Sequence, residues 1–171
     1  MSVKQHKKEA PKRVHCQVIT VSDTRVQETD RSGNMMIHML EGNGHAVCRY
    51  RIVTDDYDRI REAIIEGCED RDIDVILING GTGIAKRDVT VEVVRNLLDK
   101  ELNGFGEIFR MLSYLEDIGS PAILSRAIAG VASDTAIFSM PGSSGAVKLA
   151  MEKLVIPEIS HVVRELRKDL K

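Results

Sequence analysis

The chain has no tryptophan, and aromatic residues make up only 4% of its 171 positions. So few rings argue against a base-stacking surface for single-stranded nucleic acid. Cysteine is nearly as scarce. Cys16, Cys48 and Cys68 are an odd set with no C-x-x-C pair, which argues against a disulfide framework and a structural zinc site. Cys16 in a strand pattern and Cys68 at a helix end read as small buried hydrophobes, and a cytoplasmic, reducing location fits free thiols. No apolar run is long enough to cross a bilayer. The basic first residues lead into no apolar segment of the kind that marks a secretory signal. An excess of one charge is lacking as well: 24 Lys and Arg stand against 26 Asp and Glu, for a formal net charge of −2. That balance gives no electrostatic case for nucleic acid or a membrane as partner. Two phosphate-binding signatures are also missing. G-x-x-x-x-G-K-[ST] does not occur, and Gly42-x-Gly44 precedes a strand pattern instead of following one.

What is present fits one ordinary domain. At 43% hydrophobic the chain can bury a real core. Lys4, Lys7, Lys8, Lys12 and Arg13 crowd the start, so residues 1–13 are expected to be a flexible basic tail and residues 14–171 a single domain. Strand patterns at Val14–Val21, Ala46–Val53 and Asp74–Asn79 alternate with helical ones. Two short apolar segments, Ala127–Val131 and Thr135–Met140, come later. The alternation predicts a three-layer α/β/α sandwich with a mostly parallel central sheet. Pro157 must kink or divide the last helical stretch.

The densest signal is the stretch from Asp74 to Asp88. An apolar β-branched run breaks at Gly80-Gly81-Thr82-Gly83, passes Lys86, Arg87 and Asp88, and leads to a helix starting at about Thr90. Strand, glycine turn, charged cluster and helix make up an anion site at the carboxyl end of a sheet. Residues without Cβ let backbone N–H groups approach an oxyanion. Thr82 adds a hydroxyl, and Lys86 and Arg87 add positive charge. The alternative is a tight turn whose glycines serve sterics alone. Asp88, beside two cations, reads either as a Mg²⁺ ligand or orienting acceptor or as a helix-start carboxylate. Ser22 and Asp23 close the first strand, Asp55 and Asp56 follow the second, and Ser143 and Ser144 follow the last. Each taken singly reads as turn or cap chemistry, but parallel strands would gather them on one edge. His15, His38, His45 and His161 show no metal-ligand spacing.

In order, these residues resemble the MoaB/MogA proteins of molybdenum cofactor synthesis, related to the G domains of gephyrin and plant Cnx proteins. The resemblance spans about Val14 to Ile156. It rests on Thr20-Val21-Ser22-Asp23, Asp30-Arg31-Ser32-Gly33, Asn79-Gly80-Gly81-Thr82-Gly83 with Arg87-Asp88-Val89-Thr90, Gly104-Phe105-Gly106-Glu107, Ile123-Leu124-Ser125-Arg126 and Met140-Pro141-Gly142-Ser143. Phe109-Arg110-Met111-Leu112-Ser113 and the Met-Pro-Gly-Ser ending look more like the MoaB branch. Val91 stands where many relatives have proline, an optional residue in a first helical turn.

The resemblance implies a molybdopterin-binding fold, a homotrimer or homohexamer, and adenylyl transfer from Mg-ATP to molybdopterin with release of pyrophosphate. It implies catalytic and Mg²⁺-holding roles for Asp55 and Asp88, with Asp56 as the alternative to Asp55. Substrate-binding roles fall to Ser22, Asp23, Gly80, Gly81, Thr82, Gly83, Arg87, Ser143 and Ser144. Metal insertion, of molybdenum or tungsten, would follow in a downstream insertase, a possible partner. Two readings stand beside this one: a molybdopterin-binding or scaffold protein of the same pathway without the chemistry, and a generic nucleotide- or phosphosugar-binding α/β domain.

Overall fold

The computed structural model describes residues 2–169. Its centre is a six-stranded sheet. β1 (His15–Val21), β2 (Ala46–Val53), β3 (Val75–Asn79), β4 (Lys100–Glu101), β5 (Ile128–Ala132) and β6 (Thr135–Met140) lie in the order β2-β1-β3-β6-β5-β4. The pairs β1·β2, β1·β3 and β3·β6 are parallel, and β5·β6 and β4·β5 are antiparallel. A mostly parallel sheet matches the sequence reading. The antiparallel edge arises because Ser133 and Asp134, both in the left-handed region, turn β5 straight back into β6.

Why these runs form central strands follows from their two faces. Along β3, Val75 and Leu77 pack into one core while Ile76 and Ile78 pack into the other. Along β6, Phe138 and Met140 face the first and Ile137 the second. Strands covered on both sides read as unbroken apolar runs. The first core is closed by α2 (Arg31–Gly42), α5 (Asn103–Leu112), α6 (Ser144–Ala150) and α7 (Ile156–Arg167). The second is closed by α3 (Tyr57–Glu69) and α4 (Thr90–Leu97). Each large apolar side chain so buried contributes about 1.5–3 kcal/mol. The methionines of α2 divide: Met36 is buried, and Met35 and Met39 pack against the same core half-exposed.

The last helical stretch is not cut at Pro157: the backbone stays helical from Ala150 through Ile156, and a π-helical turn over Met151–Val155 leads directly into α7, whose second residue is the proline. Residues 1–13, expected as a flexible tail, carry a helix, α1 (Val3–Glu9), set against α7. Charged residues pair across the contact in both senses: Lys7 of α1 with Glu158, and Glu9 of α1 with Arg164. No helix among the described residues is long and apolar enough to cross a membrane.

His45, just before β2, is buried and accepts at Nδ1 from the Val14 N–H at 3.2 Å. Burial lowers its pKa from the ordinary 6.5. The unfolded chain therefore protonates this imidazole first. The stability present above about pH 6.5 is expected to fall as the pH drops below it, until the folded pKa is reached. Urea midpoints compared at neutral and mildly acidic pH should show this fall, and His45→Asn, which keeps an acceptor, should flatten it.

Candidate active site

The parallel register brings four strand ends to one edge. Val21 lies opposite Val53, Thr20 opposite Asn79, and Asn79 opposite Met140. The first loop residues continue the pattern: the Ser22 N–H donates to Val53 O, and the Gly80 N–H to Met140 O. From β1 the chain moves to one side to form β2, then crosses back to form β3. The carboxyl ends of β1 and β3 thus flank the crevice where open α/β sheets bind ligands. An open cavity of about 470 Å³ lies there, lined by Ser22, Thr24, Arg25, Gly80–Gly83, Asp88, Ser125 and Gly142 among others.

The glycine turn is built by close approach. Gly80 has φ +96°, and a Cβ there would clash with the Val21 carbonyl oxygen. Gly81 has φ +64°, and its Cβ would meet Thr90 Oγ1 and Asp55 Oδ1. Only glycine suits both the dihedral and the space. Asp88 closes the turn, its Oδ2 accepting from the Ala85 N–H at 2.9 Å. Val89, not Thr90, is the cap residue of α4. The Thr90 hydroxyl oxygen is buried and has no hydrogen-bond partner among the described residues, and the same holds for Asp55 Oδ1.

The structure separates the two aspartates after β2. Asp56 caps α3, its Oδ1 accepting from the Asp58 and Arg59 N–H groups. The Asp55 carboxylate faces the glycine turn. Burial raises its pKa, the negative Asp88 and Asp23 raise it further, and Arg87 works against them. Asp23 is tied into the same group. It accepts from the Asp55 N–H at 3.0 Å and pairs with Arg87 at 2.8 Å. Arg87 is exposed, so this pair contributes at most about 1 kcal/mol and leaves the guanidinium free to rearrange.

Ser22 Oγ accepts from the Thr24 and Arg25 N–H groups and so shapes the cavity wall. Ser143 caps α6, accepting from the Ala146 N–H, and Ser144 begins that helix. Pro141 and Gly142 line the cavity; Ser143 and Ser144 stand beyond them. The structure thus brings together Ser22, Asp23, Asp55, Gly80–Gly83, Arg87 and Asp88.

Arg126 was not singled out by the sequence reading, although Ile123-Leu124-Ser125-Arg126 carried part of the resemblance. Its Nε donates to Thr82 O at 3.0 Å. Its Nη2 donates to Gly83 O at 2.7 Å and to Asp88 O at 3.1 Å. Its guanidinium also pairs with Glu92 in the first turn of α4, which holds that carboxyl below its ordinary range. One side chain thereby fixes both ends of the turn. Arg25 plays a similar part nearby. It donates to Gly142 O at 3.1 Å and reaches Asp30, which is fully buried and also accepts from the Tyr50 hydroxyl at 2.6 Å. Ser32 donates to the same Gly142 carbonyl at 2.7 Å. No local spacing links Arg126 or Arg25 to the turns they hold.

Residues 17–161 match the family described as "Probable molybdopterin binding domain". The chain belongs to the MoaB/MogA family of molybdenum cofactor biosynthesis proteins. It is 63% identical to molybdenum cofactor biosynthesis protein B of Bacillus subtilis over 169 residues, 99% of each chain. It is 51% identical to the protein of that name from Staphylococcus aureus over 157 residues, 91% of this chain and 93% of the relative. A crystal structure of a molybdenum cofactor biosynthesis protein B superposes with a TM-score of 0.91 at 57% identity, covering 94% of this chain and 99% of the other. That of the tungsten cofactor synthesizing protein MoaB from Pyrococcus furiosus superposes at 0.82 and 40% identity, covering 92% and 99%. The α/β sandwich expected from the sequence is the fold these relatives share.

Proposed function

We propose that this member of the family binds molybdopterin at the strand-end cavity and adenylylates it with Mg-ATP. The observation that carries the reading is the buried, unpartnered Asp55 oxygen at the glycine turn, in electrostatic contact with Asp88 and Asp23. A carboxylate whose pKa is raised by burial and by two neighbouring negative charges suits a divalent cation, which offsets both. Mg²⁺ asks for one or two protein carboxylates and completes its shell with phosphates and water. Asp55 and Asp88 supply that number. When bound, Mg²⁺ neutralises phosphate charge.

The rest falls to the chain itself. The Gly80 N–H is spent on the Met140 carbonyl, so the N–H groups of Gly81–Gly83 and the Thr82 hydroxyl cradle a phosphate, and Ser22 and Asp23 line the approach. Arg87 can exchange Asp23 for a phosphate, a preferred guanidinium partner. In the reaction, an oxygen of the terminal molybdopterin phosphate forms a bond to the α-phosphorus of ATP. The bond from that phosphorus to the β-phosphate bridging oxygen breaks, and pyrophosphate leaves. Such a transfer depends on positioning and charge neutralisation more than on a strong nucleophile. ATP consumption that requires molybdopterin supports this reading. Pterin fluorescence retained on the purified protein, without ATP turnover, would instead assign it a binding role.

The same reading includes self-association. Ile108, Met111, Tyr114, Leu115, Ile118 and Ile123 are exposed along α5, the π-turn Ser113–Asp117 and the 3₁₀ turn Ser120–Leu124, ending beside the cavity at Leu124. A run of this kind marks an interface. Light scattering on the purified protein is expected to give a trimer or hexamer, and Leu115→Glu should shift it toward monomer. A native monomer at micromolar concentration would count against the oligomer.

A further inference from the structure

Helix α1 buries none of its seven residues, and a helix that short does not stand alone in water. Its side-chain contacts with α7 are polar, and two imidazoles, one from each helix, meet at a single carboxylate oxygen. His6 Nδ1 lies 3.2 Å from Glu165 Oε1, and His161 Nε2 lies 3.9 Å from the same oxygen. The His6 and His161 ring centroids are 5.8 Å apart. One donor atom from each of His6, His161 and Glu165 falls within 4.8 Å of the others. We infer that these three residues form a transition-metal site of the zinc class that staples α1 to α7.

Two imidazoles and a carboxylate are a known zinc ligand set that leaves a fourth position for water. Bond lengths of about 2.0–2.2 Å put tetrahedral donors roughly 3.4 Å apart, and the two measured separations lie either side of that. The outer contacts suit a metal as well. His161 Nδ1 is 3.0 Å from Glu158 Oε2, and a carboxylate there fixes the tautomer that leaves Nε2 free to ligate. His161 and Glu165 are four residues apart, on one face of α7. All three side chains are partly exposed, between 20% and 34%, so an ion can enter from solvent. Two imidazoles favour zinc-like ions over calcium or magnesium.

Arg164 Nη1 now sits near Glu165 Oε1 at 2.6 Å, and Lys168 near Oε2 at 3.3 Å. Arg164 also holds Glu9 at 2.6 Å. A metal that takes the Glu165 oxygen therefore leaves Arg164 a partner on α1, and the two links reinforce each other. Metal-binding energy becomes docking energy for α1. None of these residues belongs to the strand-end cavity, so the site stands apart from the proposed adenylyl transfer.

The test is a Zn²⁺ titration of the full chain after chelator dialysis, in competition with a chromophoric chelator. The native protein is expected to bind one Zn²⁺ per chain at low micromolar Kd or tighter. His6→Ala and His161→Ala should each weaken binding by more than about 10-fold, and Glu158→Gln by about 10-fold. His38→Ala should leave it unchanged. Zn²⁺ should also slow proteolysis within α1 in the native chain but not in His161→Ala. No Zn²⁺ bound at tens of micromolar would overturn the proposal. So would binding that survives loss of both histidines, or binding abolished only by Cys48→Ser.

Discussion

Arg126→Ala is expected to destabilise the protein by about 2 kcal/mol or more and to cut any strand-end activity by about 100-fold. The stability figure follows from the bonds removed. Three carbonyls of the glycine turn, Thr82, Gly83 and Asp88, share this one cationic donor group, and Glu92 loses its partner too. A hydrogen bond from a charged group is worth about 1.5–3 kcal/mol. The bonds act on one loop, so their loss is not additive. The activity figure follows from position. Thr82 and Gly83 would present the N–H groups that hold phosphate, and a displacement of about 1 Å there can cost about 100-fold. Lysine cannot reproduce the fork, so Arg126→Lys should recover stability only in part. Urea denaturation checks the first figure. A KM that rises while pterin binding weakens in parallel checks the second.

Asp55→Ala and Asp88→Ala are each expected to lower adenylyl transfer by about 100-fold or more while the fold survives, on the scale of losing one preorganised group that stabilises transition-state charge. The two should differ in stability. Asp55 Oδ1 has no partner to lose and sits among like charges, so its removal should leave thermal stability nearly unchanged or raise it slightly. Asp88 closes the turn through the Ala85 N–H, so its loss should cost about 1 kcal/mol. Asp56→Ala serves as contrast. It removes the α3 cap, at a cost of about 1 kcal/mol, without touching the glycine turn.

Much of this was legible from short-range signals. The strands β1, β3 and β6 are apolar runs that end in turn residues, and parallel pairing then requires Ser22, Asp55, Gly80 and Gly142 to gather. The choice between Asp55 and Asp56 was not legible. Both follow the same strand, and only the backbone direction decides which carboxylate caps α3 and which faces Gly81. Threonine favours the cap position, yet Thr90 is the first residue of α4, after Val89 at the cap, and its hydroxyl oxygen is buried. Arg126 lay beyond local reading, since its partners are 34 to 44 residues away in sequence. The first residues read as a solvated basic tail because the α7 partners of Lys7 and Glu9 lie more than 150 residues later.

A single-turnover experiment with purified protein, molybdopterin and Mg-ATP tests the proposed chemistry most directly. Adenylylated molybdopterin and pyrophosphate would be followed together. The expected result is both products in equal amounts from the native chain, with almost none from Asp55→Ala or Asp88→Ala while those variants still bind pterin. Native protein that binds molybdopterin and yields neither product would contradict the account and leave a pterin-binding member of the family without the transfer.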